Sequence, residues 1–206
     1  MITPAGYKAQ ADAFKLVFEV EGRYVNDHHI IEHNGVYHLF YIDGEVGKHC
    51  YTPGNEVIIG HATSEDLYTW ISHEPALVAD PGIPWESAHI FAPFVIEKGG
   101  KFYMLYSGDT QTKAQSIGLA VSDDLWTWTR CEFNPVFRPS RSWAFWDPKE
   151  GCSGRDPHVI YHPDYGYIMY FVADMKHNPK QSAIGCAFSD NLVTWQDGGP
   201  VLVKNH

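Results

Sequence analysis

The sequence predicts an all-β protein built from propeller blades, because one strand-pair pattern occurs three times at a nearly constant step. The copies occupy residues 26–41, 91–106 and 155–170. Each is an apolar strand, a polar turn containing Gly and a second strand of aromatic and apolar residues, the signature of a β-hairpin. Equivalent positions lie 65 and 64 residues apart, so the pattern is an internal repeat.

A second motif, Ala-x-Ser-x-x-Leu-x-Thr-Trp, follows each hairpin, at residues 62–70, 120–128 and 187–195. It comes after a strand containing Ile-Gly and precedes another short strand, so one repeat holds about four strands. Repeats of four antiparallel strands are typical of propeller blades. We therefore predict a single domain over residues 1–206, with blades at about 22–80, 81–139 and 140–203.

Composition and charge narrow the classes of partner. The chain has 206 residues, 44% of them apolar and 15% aromatic, and a formal charge of −10, which suits one sizeable core and disfavours nucleic acid or an anionic membrane as a partner. A neutral carbohydrate fits better. Four Cys without C-x-x-C spacing indicate neither a zinc site nor a disulfide framework, and we expect no metal and no cofactor.

The N-terminal residues contain neither a basic start nor an apolar run. They therefore do not resemble a signal peptide, and the longest apolar run in the chain is too short to span a bilayer. We expect a cytoplasmic protein, although secretion stays open.

Two carboxylates hold the same place in the repeat. Asp27 and Asp156 are equivalent, whereas blade two has Ala92 there. The inner strand of each blade begins at the mouth of a propeller, so we expect the two carboxylates to face each other across it, an arrangement suited to glycosidic bond cleavage. Turn capping is the structural alternative. Ala92 favours the functional reading, because a purely structural Asp would recur in every blade.

Further polar residues flank this pair. Arg155 could lower the pKa of the neighbouring carboxyl and bind hydroxyl groups with its guanidinium. Histidines beside the site could bind hydroxyls or a metal, but together they form no defined ligand set, so hydrogen bonding to substrate is preferred. Aromatic rings stack on sugar faces. The predicted substrate-binding residues are Asn26, Arg155, His28, His89, His158 and Trp85.

Several segments resemble, in order, the motifs of glycoside hydrolase family 32, the invertases, levanases and inulinases. Asn26-Asp27 looks like the family's first-blade Asn-Asp, and residues 60–70 are similar to its G-H-A-x-S-x-D-L-x-x-W segment. Thr-Trp-Thr at 127–129, Asn-Pro-Val at 134–136 and Arg-Asp-Pro at 155–157 resemble the following elements. The resemblance implies a five-bladed propeller, of which this chain would hold about three and a half blades.

The resemblance also implies a retaining hydrolysis of β-fructosides such as sucrose, fructo-oligosaccharides or fructans. Asp27 would be the nucleophile, Asp156 would stabilise the transition state and Arg155 would help to hold the sugar. The family's acid/base is a Glu in a Glu-Cys motif on blade four, and this sequence contains no Glu-Cys. We therefore expect a further C-terminal segment or a partner chain to complete the ring, and an inactive isolated chain.

Two alternatives remain open at this stage. An inverting arabinosidase or xylosidase resembling family 43 is favoured by Ala92-Pro93 and by His28-His29-Ile30, which stands where family 32 has Pro-Asn-Gly. A catalytically silent, carbohydrate-binding propeller is favoured by the missing acid.

Overall fold

The computed structural model describes residues 18–203, which fold into thirteen β-strands and no helix. The prediction of an all-β chain is confirmed. The strands are β1 (Arg23–His33), β2 (Val36–Glu45), β3 (Ile58–Ser64), β4 (Ile71–Ser72), β5 (Leu77–Val78), β6 (His89–Lys98), β7 (Lys101–Asp109), β8 (Gln115–Ser122), β9 (Thr129–Arg130), β10 (Gly154–His162), β11 (Gly166–Met175), β12 (Asn178–Ser189) and β13 (Gln196–Val203).

The strands form three antiparallel sheets, one for each repeat. Their orders are β1-β2-β3-β4, with β5 also paired to β3, then β6-β7-β8-β9 and β10-β11-β12-β13. We call these sheets blades one, two and three. The sheets are open, as expected of part of a propeller. They contain all the strands of residues 18–203. The described residues thus form three blades, and the prediction for the whole chain was about three and a half.

The hairpin turns explain the tight pairing of the first two strands in each of the first two blades. Asn34 and Gly35 have φ angles of 53° and 82°, and Gly99 and Gly100 have 59° and 76°. Two successive residues with positive φ match the right-handed twist of the flanking strands. The turn from His162 to Gly166 is longer.

The Ser-to-Trp motif is a turn that recurs with the same hydrogen bonds. In blade one, Ser64 Oγ accepts from the amide of Leu67 (2.8 Å), Asp66 Oδ1 accepts from the amide of Thr69 (2.7 Å), and Trp70 Nε1 donates to the Leu67 carbonyl (3.2 Å). Blades two and three repeat these contacts. The motif is therefore structural.

Two apolar cores lie between neighbouring blades. Phe40 and Ile59 of blade one pack with Met104 of blade two, and Leu105 of blade two packs with Phe171 of blade three. Blade two packs against blade one through one core and against blade three through the other, so the two cores fix how the inner strands converge. No helix in the described part of the chain is long and apolar enough to cross a membrane.

Candidate active site

The inner strands of all three blades carry a β-bulge at the same place. The pairing register shifts between Asn26 and His28, between Phe91 and Phe94, and between Arg155 and His158. Asp27, Ala92 and Asp156 lie at these shifts, and Ala92 and Asp156 have positive φ angles of 46° and 57°. Bulges re-aim side chains and are common beside active sites.

The two aspartates line the same two cavities. The larger, about 610 Å³, is also lined by Asn26, His28 and His158. The smaller, about 170 Å³, is lined by Asn26 and Arg155 in addition to the aspartates. The structure thus brings six of the eight predicted site residues together where the inner strands of the three blades converge.

Asp156 is held from two sides. Its amide donates to Ser107 Oγ of blade two (2.9 Å), and Arg155 Nε donates to its carboxylate Oδ2 (3.1 Å) while the same guanidinium contacts Ser153 Oγ. Burial and the charge of Asp27 raise the pKa of Asp156 above the usual range for Asp, and the Arg155 charge opposes them. Arg155 acts on the pKa in the predicted direction, but removal of the carboxylate from water outweighs it.

Glu56 is a third carboxylate in the smaller cavity, and it was not among the site residues predicted from the sequence. It is 3% exposed and has a positive φ of 46°. Tyr24 Oη donates to Glu56 Oε1 (2.6 Å), and Asn55 Nδ2 donates to Tyr24 Oη (2.9 Å). Burial and the hydrogen bond to Glu56 raise the pKa of Tyr24 to about 12, so its proton stays available to the carboxylate. The polar run before Glu56, residues 43–55, was its only sequence signal.

Two predicted substrate contacts lie elsewhere. Trp85 is 8% exposed and packs in the core between blades one and two, with its ring against Gly108 and Gly118. It lines neither cavity, so its assignment to substrate is corrected to a packing role. His89 is 5% exposed and lines a neighbouring cavity without the aspartates.

The donor set favours a ligand rich in hydroxyl groups. Around this cavity of about 170 Å³, three carboxylates accept hydrogen bonds, the Arg155 guanidinium donates them, and the Asn26 and Gln115 side-chain amides can do both. Within residues 18–203, no group of three or more His, Cys, Asp or Glu side chains is placed to hold a metal ion.

Propeller blades with paired carboxylates at the converging inner strands define the class of β-propeller glycosidases. The model of the glycosyl hydrolases family 32 N-terminal domain matches residues 18–206. The chain therefore belongs to glycoside hydrolase family 32, as its motifs predicted.

A curated relative agrees with this placement, and a solved structure shares the fold. The chain is 32% identical over 135 residues to a fructan 1-exohydrolase of Aegilops speltoides, a match that covers 60% of the chain and 21% of that protein. The chain thus spans about a fifth of the length of this curated relative. The Bombyx mori family 32 beta-fructofuranosidase superposes with a TM-score of 0.66 at 21% identity, over 88% of the chain and 36% of that protein.

A thermostable family 43 glycoside hydrolase gives a TM-score of 0.65 at 21% identity, over 89% of the chain and 55% of that protein. At this identity the likeness shows that the two proteins share a fold.

Proposed function

We propose that this chain supplies the nucleophile and the transition-state-stabilising carboxylate of a glycosidase that cleaves β-fructofuranosidic bonds in sucrose, fructo-oligosaccharides or fructans. The observation that carries the proposal is the convergence of Asp27 and Asp156, from equivalent bulges, on the same two cavities. Family membership and the relative named fructan 1-exohydrolase support fructosides as the substrate class.

The proposed reaction is a double displacement. A carboxylate oxygen of Asp27 bonds to the anomeric carbon of the fructosyl unit as the bond to the leaving oxygen breaks and that oxygen takes a proton from an acid. Water then attacks the anomeric carbon, loses a proton to the conjugate base of that acid and releases Asp27. Two inversions give net retention.

Asp156 acts on the charge that develops during both steps. Its carboxylate stabilises the oxocarbenium-like transition state and accepts hydrogen bonds from sugar hydroxyls, while Arg155 holds it in place at 3.1 Å. Only the ionised form of Asp156 performs this role.

The acid in this proposal is a Glu supplied by a further segment or a partner chain that completes the ring beside blade three. The outer strand of blade three offers an apolar edge for such a neighbour, since Val201 and Leu202 are 54% and 66% exposed. Without an acid, leaving-group protonation would lose a factor of about a hundred to ten thousand. Analytical ultracentrifugation of the native protein tests for a partner.

Replacement of the nucleophile tests the proposal. We expect Asp27→Asn in the native assembly to lower kcat on sucrose or fructo-oligosaccharides by about a thousand-fold or more while calorimetry still detects binding. Asp164→Asn, at an exposed carboxylate on the β10–β11 turn, is the matched control and should leave kcat unchanged.

Three other outcomes would redirect the assignment. Exclusive release of arabinose or xylose from an oligosaccharide panel would favour the family 43 type of substrate. An inverted first product, observed by NMR of the released sugar, would exclude the double displacement. Binding without turnover by the native assembly would favour the silent, carbohydrate-binding propeller.

A further inference from the structure

Aromatic rings from all three blades meet just after the bulges. His29, Phe94 and His158 each lie two positions after the bulge residue of their own inner strand. The Phe94 ring of blade two contacts both imidazoles: its centroid is 4.4 Å from that of His29 in blade one and 4.6 Å from that of His158 in blade three. We call these three side chains the ring layer. They join the three inner strands directly.

The ring layer borders the candidate active site. Its three members line the larger cavity together with Asp27 and Asp156. Because a strand rises about 3.3 Å per residue, the layer lies about 7 Å along the strands from the bulges. Phe94 is 8% exposed and belongs to the core between blades two and three, so packing fixes the middle ring of the layer.

His29 connects blade one to this fixed ring. Besides its contact with Phe94, the imidazole has a hydrogen bond with the backbone of Val95 in β6. Burial, followed by the positive charge of His158, lowers the pKa of His29 to about 4. Near neutral pH the His29 ring is therefore uncharged, and it holds the two strands together without adding a positive charge beside the carboxylates.

The two carboxylates differ in how they are held. Asp156 accepts a hydrogen bond from Arg155 Nε (3.1 Å), whereas among the described residues none donates a hydrogen bond to the carboxylate of Asp27. The position of the Asp27 carboxylate therefore depends on the strand that carries it, and His29 holds that strand against blade two.

We propose that His29, Phe94 and His158 are positioning residues that set the separation of the Asp27 and Asp156 carboxylates. The ring layer ties the strands of both aspartates to the same phenyl ring, so a change in its width moves one carboxylate relative to the other. A displacement of about 1 Å at the reacting atoms can cost about a hundred-fold in rate. This inference rests on the proposed function, since the separation matters only if both carboxylates act on one bond.

A pair of Phe→Leu variants tests the middle of the layer. Phe94→Leu removes the ring that contacts both imidazoles, and we expect kcat of the native assembly on sucrose to fall about a hundred-fold with little change in KM. Phe137→Leu is the matched control, because Phe137 is 5% exposed in the same core and lines neither cavity of the aspartates. It should lose similar stability in urea denaturation but keep kcat. Phe94→Tyr retains the ring and should retain most of kcat.

Replacements of His29 test the blade-one side of the layer. His29→Ala removes the contact with Phe94 and should also lower kcat with little change in KM, whereas His29→Phe keeps a ring there and should restore part of the loss. The double variant His29→Ala/Phe94→Leu should lose less than the product of the two single effects, because both changes remove one contact. His177→Ala, at an exposed histidine of blade three, is the control.

The possible failures are distinguishable. If the wild type is active and Phe94→Leu keeps the kcat of Phe137→Leu, or if the effects of His29→Ala and Phe94→Leu multiply, the positioning role is excluded and the proposed function stands. If Phe94→Leu does not fold, the comparison of His29→Ala with His29→Phe decides: equal kcat values would exclude the role. If the wild-type native assembly hydrolyses no fructoside, both proposals are overturned.

Discussion

Single residues at the three bulges show that the backbone geometry and the side-chain chemistry of the site are independent of each other. Each inner strand shifts register at the same repeat position, but only blades one and three place a carboxylate there. Blade two keeps the positive φ with Ala92. The bulge is therefore a feature of the backbone that all three blades share, whereas the carboxylate is present in only two of them.

Glu56 is expected to bind a substrate hydroxyl. Glu56→Gln keeps the size of the side chain and an acceptor for the Tyr24 hydroxyl but removes the negative charge beside the aspartates. We expect KM for sucrose to rise about ten-fold with little change in kcat, because a hydrogen bond to a charged group contributes about 1.5–3 kcal/mol. Steady-state kinetics of the native assembly measure the effect. Glu74→Gln, at an exposed site, is the control, and an unchanged KM for Glu56→Gln would exclude the role.

Arg155 is expected to set the acidic limb of the pH–rate profile. Its positive charge opposes the burial and the Asp27 charge that raise the pKa of Asp156. Arg155→Gln removes that opposition, so the pKa of Asp156 rises further and a higher pH is needed to ionise it.

The acidic limb of kcat/KM for Arg155→Gln should therefore move to higher pH. Arg141→Gln, at an exposed guanidinium over Trp146 (5.8 Å), should leave it in place. An unmoved limb in Arg155→Gln would show that Asp156 does not control activity through its ionised form.

At the scale of structural elements, the contact of blades one and two depends on glycines under Trp85. The ring packs against Gly108 of β7 and Gly118 of β8, where an added Cβ would lie far inside van der Waals contact with it. This explains why an aromatic residue placed just before an inner strand is buried in the core.

Gly118→Ala should destabilise the protein by about 1–3 kcal/mol, the usual cost of overpacking a core. Urea denaturation followed by Trp fluorescence measures the change in the free energy of unfolding. Gly151→Ala is the control, because its Cβ would meet no atom closer than 3.7 Å. Equal stabilities of the two variants would contradict the packing account.

At the scale of the whole molecule, a buried histidine cluster makes the contact between blades one and two sensitive to acid. His38 Nδ1 and His61 Nε2 share a hydrogen bond of 2.9 Å, and Trp126 of blade two stands edge-on to His61 at 4.8 Å. Burial, followed by the charges of His38 and His73, lowers the pKa of His61 from 6.5 to about 3. The folded protein therefore holds this ring neutral.

The free energy of unfolding should fall as the pH is lowered from about 6.5 towards 3. Over this interval His61 binds a proton in the unfolded chain but stays neutral in the folded chain. His61→Gln removes this titrating group and should flatten the dependence. Denaturation curves at several pH values test it, with His177→Gln as an exposed control. A slope that is the same in wild type and His61→Gln would exclude His61 as its source.

Those features of this protein that depend on local spacing could be predicted from the order of its residues. The hairpin repeat predicted the blades, the Ser-to-Trp motif predicted the turns, and equal repeat positions predicted that Asp27 and Asp156 converge. These features could be read because strand period, turn chemistry and repeat step are all properties of neighbouring residues.

Contacts between side chains from different strands and loops became visible only in the folded chain. In the folded chain, Glu56 lines the same cavity as the two aspartates, and Trp85 is buried against two glycines. His89 lines a neighbouring cavity and not the one with the aspartates. Folding also sets the direction of the pKa shift of Asp156, because burial is set by the neighbouring blades and outweighs the charge of Arg155 next to it in the chain. Desolvation and packing depend on the summed surroundings of a group, and no local pattern in the sequence encodes them.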